Sequence, residues 1–162
     1  AFYFYSNHYK HKDTDTNYNI WQIQAFSRFH NVLEEEGTTQ RATAVGQYVC
    51  SMCQGIVDSH AWKHVLARGQ RFYVNLSTVE IACGLDALAD GIRVAEFHQD
   101  PGVVDQWKLQ TRNAICFLEW SQNQIPTDAP FGWGGLGHGG VYVTEQRLDV
   151  TGHAISALIK LR

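Results

Sequence analysis

The sequence predicts an all-α fold of antiparallel helical hairpins, and three observations carry that prediction. Apolar residues recur at helical spacing through most of the 162 residues. Only Arg71 to Leu76 (RFYVNL) reads as extended. The stretch Arg112 to Leu161 joins two helical patterns across a Gly- and aromatic-rich loop, and neither pattern can hide its apolar stripe alone. Six of the nine residues from Gly132 to Gly140 are glycine, a density no helix or long strand tolerates.

Taken in order, the chain opens on the aromatics Phe2, Tyr3, Phe4 and Tyr5 and a polar cluster of Asn7, His8, Tyr9, His11, Asp13 and Asp15. A helix follows from Asn17 to Glu36, with Ile20, Ile23, Phe26, Phe29 and Leu33 on one face and Gly37 as a left-handed cap. Glu34, Glu35 and Glu36 sit where the helix dipole disfavours them and are read as solvated. Thr38 or Thr39 starts the next helix, which carries Ala42, Val45, Tyr48, Val49, Met52 and Ile56. A short helical piece from His60 to Ala67 continues it. Its His60 and His64 share a face, but without an HExxH glutamate they read as surface histidines.

Ser77-Thr78-Val79-Glu80 is a capping box, with Leu76 and Ile81 placed to staple it. Ile81, Leu85, Leu88, Ile92 and Ala95 follow on the next helix, while Cys83, Gly84 and Ala87 leave a narrow surface for close approach. Asp86 and Asp90, four residues apart, meet on one flank and are read as a solvated face rather than an acid pair. Asp100 caps and Pro101 opens a helix carrying Val104, Trp107, Ala114, Ile115 and Leu118. The last helix runs from Asp149 or Val150 to Leu161, with Ile155, Leu158 and Ile159 as its apolar face.

Composition narrows the class. The length suits one domain, residues 1–162, with a sizeable core. A net charge of −3 and no basic run give no footprint for nucleic acid. No apolar run is long enough to span a membrane, and no signal peptide is recognisable. The missing initiator Met suggests a processed or partial product. Cys50, Cys53, Cys83 and Cys116 lie within helical patterns, so buried reduced thiols and a cytoplasmic location are expected. Cys50 and Cys53 have CxxC spacing deep inside a helix, which reads as packing rather than redox chemistry. The glycine loop lacks the GxxxxGK[ST] pattern, so nucleotide binding is not expected, nor is any metal or cofactor.

FLEWSQNQ followed by GWGG resembles the QW-type repeat of terpenoid cyclases, although the spacing from Gln124 to Gly132 is longer than in a compact repeat. DVTGHAISAL resembles the inner helix after such a repeat in the terpenoid cyclase and protein prenyltransferase superfamily. The resemblance covers roughly the last third of the chain. It implies an arc of an α/α toroid, with inner helices ringing a cavity and the Gly-rich loop between the last two helices. A full six-hairpin toroid needs roughly twice this length, so the chain reads as the C-terminal part of a longer toroid or as an arc closed by a second copy.

The resemblance implies a terpenoid cyclase- or prenyltransferase-like role on an isoprenoid. Asp13-Thr14-Asp15-Thr16 resembles a DxDD-type motif with Thr16 replacing the last acid, which makes Asp15 the proton donor. Trp21, Trp133 and Tyr142 would face a carbocation. An alternative is a carbohydrate-active toroid enzyme of the uronate lyase, epimerase or hydrolase kind. There Asn7, His8 and Tyr9 would serve the acidic sugar, with Arg28, Arg112 or Arg147 holding its carboxylate. A helical-repeat binding module without chemistry is the third reading, under which His138 is a loop residue and His153 a satisfied inner-helix histidine. Under either enzyme reading the partner is a small-molecule substrate, and His8, Tyr9, Asp15, His138 and Asp149 are expected to line one concavity, with Glu145 and Arg147 beside it.

Overall fold

A computed structural model describes residues 2–3, 6, 16–65, 77–99, 101–123 and 148–162, and among these every regular element is a helix. They are α1 (Thr16–Glu35), α2 (Thr39–Val57), α3 (His60–Lys63), α4 (Thr78–His98), α5 (Pro101–Asn123) and α6 (Leu148–Lys160). The segment 71–76 and the glycine loop lie outside the described residues. None of these helices is long and apolar enough to cross a membrane.

The helix boundaries follow local chemistry. α1 ends at Gly37, whose φ of 72° is the left-handed conformation expected there. The Thr38 hydroxyl donates back to the Leu33 carbonyl at 3.0 Å and ties the turn down. At the start of α4 the Ser77 hydroxyl accepts from the Glu80 N–H at 3.3 Å, the cap the sequence called for. Pro101 occupies the first position of α5, where its missing N–H costs nothing. Glu34, Glu35 and Glu36 are exposed, as read from their place at the helix end.

Helix α4 is the hub. It packs against α1, α2, α5 and α6, while α1 also pairs with α2. Thirteen of its 21 residues are buried, so it has no broad solvent face. Small residues set the spacing: Gly84 lies flush on the Trp62 indole, where an added Cβ would come within 2.6 Å of Nε1. Gly91 likewise abuts the Cys53 thiol of α2. The predicted stripe of α2 is buried throughout, and so are Ile20, Ile23 and Leu33 of α1. Phe26 is half-buried against the core and Phe29 is exposed.

Helix α6 corrects the sequence reading. Ile155, Leu158 and Ile159, expected to face the core, are 44–64% exposed. The buried positions are instead Val150, Ala154 and Ala157. Two small residues let α6 approach α4 closely, and the polar side chains described next fix its rotation.

Candidate functional site

The site starts from Asp86, which sits between Leu85 and Ala87 on α4. It is not the solvated flank expected from sequence: its side chain is 5% exposed. One carboxylate oxygen accepts from Gln24 Nε2 of α1 and from His153 Nδ1 of α6, each at 2.8 Å. The other accepts from Lys160 Nζ at 2.7 Å, and the same ammonium reaches Asp90 at 2.7 Å. His153 and Lys160 are seven residues apart, two turns of α6, and therefore share a face. Asp86 and Asp90 share a face of α4 in the same way. Burial pushes the Asp86 carboxyl up, but hydrogen bonds from Lys160, His153 and Ser156 and the charge of Lys160 outweigh it and hold it below the usual carboxylate range.

That balance fixes the chemistry of His153. A carboxylate only accepts, so Nδ1 must carry the proton it donates to Asp86. The ring is 18% exposed at its side chain, and among the described residues nothing bonds Nε2. Trp21 of α1, 63% exposed, lies edge-on to this imidazole with ring centroids 5.8 Å apart and planes at 73°. An imidazole whose Nδ1–H is held by a carboxylate presents Nε2 as its acceptor. The arrangement is an oriented imidazole with an aromatic surface beside it.

Two other features are separate from this cluster. His30 of α1 is buried and its Nε2 lies 2.7 Å from Nε2 of His98 on α4, so one proton must be shared between them. Burial and the neighbouring His30 depress the His98 imidazole, against a smaller opposing effect of Glu34. On the far side of α6 an apolar groove of about 380 Å³ is lined by Leu85, Ile115, Leu118, Ala154, Ile155 and Leu158. Cys50 and Cys53 are buried free thiols inside α2, both pushed up by burial, which suits packing. Cys83 and Cys116 are half-buried thiols outside any disulfide. Among the described residues no group of three or more His, Cys, Asp or Glu side chains is placed to hold a metal.

Of the residues singled out from sequence, Asn7, His8, Tyr9, Asp13, Asp15, Trp133, His138, Tyr142 and Arg147 lie outside the described residues. The concavity expected from them is therefore not placed. Trp21 falls beside His153, and Asp149 is exposed in the first turn of α6. His153, read from sequence as a satisfied inner-helix histidine under the binding-module reading, bonds Asp86 through Nδ1. Sequence reasoning passed over Gln24, Lys160, His30 and His98. The signal for Asp86 was its position among Leu85, Ala87, Leu88 and Ala89, a run too apolar for a solvated face. Compared with protein-family models, curated proteins and solved structures, the chain matches none of them.

Proposed function

We propose that this chain is an arc of an α/α-toroid enzyme in which His153, oriented by Asp86, is the acid–base group acting on a carbohydrate. The observation that carries this reading is the Asp86–His153 pair with Trp21 against the imidazole. A sugar ring stacks on an exposed indole, and the neighbouring Nε2 is then free to abstract or return a proton. The toroid itself is supported by the contact pattern: α4 lies between α1 and α6, with α2 and α5 also against it, as an inner helix would. Asp86 faces the space between α1 and α6, because its partners come from those two helices. On this reading the inner helices are α1, α4 and α6, and the substrate lies on their side.

The anionic state of Asp86 separates two chemistries. An Asp86 carboxylate that accepts from Lys160, Gln24 and His153 holds no proton to give to an alkene, so it suits orienting a base and not acting as a cyclase acid. The isoprenoid reading keeps one observation in its favour, the apolar groove along α5 and α6, and would then depend on Asp15 as the acid. The test is a substrate panel of uronate oligosaccharides, neutral glycans and prenyl diphosphates, read by absorbance of unsaturated sugar, reducing ends and extractable hydrocarbon. His153→Gln is expected to lower carbohydrate turnover by about 10²–10⁴-fold, the usual contribution of a positioned base, with an unchanged helical spectrum. Hydrocarbon products unaffected by His153→Gln would replace this reading with the isoprenoid one.

A further inference from the structure

We propose a second binding site, for a small molecule bearing a phosphate or carboxylate group, in the cleft between α4, α5 and the C-terminal end of α6. The cleft holds about 460 Å³, within the range of small-molecule sites. Five cationic side chains line it: Arg93, Lys108, Arg112, Lys160 and Arg162. The chain as a whole carries a net charge of −3, so this concentration is local.

The nearby carboxylates are already engaged. Lys160 holds Asp86 and Asp90, and Lys108 holds Glu96 at 2.8 Å. The guanidinium of Arg93 donates to the Lys160 carbonyl at 2.9 Å and, among the described residues, pairs with no carboxylate. Among the described residues Arg112 and Arg162 have no carboxylate partner either. Three guanidinium groups, from α4, α5 and the residue two places past α6, thus line one concavity, and among the described residues none of them is paired with a carboxylate. Guanidinium forks bind phosphate and carboxylate through paired N–H donors. Ala89, Ile92 and Ile115 give the cleft an apolar floor for the carbon skeleton that carries the anion.

This site is independent of the role assigned to His153, and loss of that role leaves it intact. The test is titration of the folded chain with inorganic phosphate and, separately, with glucuronate, followed by calorimetry or NMR shifts. Wild type is expected to bind at least one of them in the millimolar range at low salt. Arg112→Ala should weaken that binding about five- to tenfold, as loss of an exposed charge-assisted contact does. Arg112→Glu should abolish it, and Arg41→Ala, on α2 and outside the lining of the cleft, should leave it unchanged. Raising ionic strength to about 0.5 M should weaken wild-type binding markedly, because the groups are solvent-exposed. Binding of phosphate alone assigns a phosphorylated ligand, and binding of glucuronate alone a carboxylate. Saturation of both assigns the shared oxyanion chemistry. Absence of binding by either probe, or equal binding by Arg112→Glu and wild type, overturns the proposal. Arg112 is exposed on α5, so its variants are expected to fold.

Discussion

A carboxylate with four neighbours is hard to remove. Asp86→Ala would leave the Lys160 ammonium with only Asp90 and strip His153 and Gln24 of their acceptor. Breaking a buried pair from one side costs about 3–5 kcal/mol, and denaturant unfolding should show a loss of that order. The pH dependence has two parts. The folded Asp86 carboxyl is depressed, so its contribution is present above the unfolded carboxylate value and is lost as pH falls through the lower folded one. The folded His98 imidazole is also depressed, so the unfolded chain binds more protons at mildly acidic pH. Its contribution is therefore full above about 6.5 and declines as pH drops below that value. Melting temperature should be flat near neutrality and fall below about pH 6.5, and His98→Gln should flatten that decline. Glu34 of α1 is the charge facing this pair and opposes the effect. His30 lies seven residues from Ile23, two turns along the same stripe, yet the sequence reading passed over it. Its partner was not legible, because it lies 68 residues away and only the packing of α4 on α1 brings it near.

Close approach between helices rests on missing side chains. Gly91→Ala places a methyl against the Cys53 sulfur, and overpacking of this kind costs about 1–3 kcal/mol. The double variant Gly91→Ala with Cys53→Ala should recover part of that loss. A double-mutant cycle by thermal unfolding measures the coupling, and strict additivity would show that the two groups do not meet. The narrow surface at Cys83, Gly84 and Ala87 was readable in the sequence, but its occupant, Trp62, was not. The stripe of α6 was misread for a physical reason. Burying an isoleucine gains about 1.5–3 kcal/mol. Leaving the Asp86 charge unpaired in the interior costs about 3–5 kcal/mol, so the rotation that brings His153 and Lys160 inward wins. Periodicity sees only the first of these effects. The boundaries of α1, α2, α4 and α5 were readable because caps, Gly37 and Pro101 act within one turn.

Among the described helices, exposed apolar side chains are spread over α1, α4, α5 and α6. The groove beside α6 collects Ile115, Ile155 and Leu158, while the other flank of the same helix carries the charged cluster. Leu158→Lys should change stability by no more than about 0.5 kcal/mol, whereas Ala157→Leu, at a fully buried position, should cost about 1–3 kcal/mol. Chemical denaturation of the two variants checks the orientation of α6, and the reverse ranking would reject it. How the helices are arranged around one another was not legible from periodicity, which fixes what each helix hides but not which helix covers it.

The bond from Lys160 to Asp86 ties the last turn of α6 to the middle of the central helix. A protease that clips this tail does not trim an ornament. It withdraws the counter-ion from the interior, so the remainder should come apart as a whole instead of persisting as a shortened body.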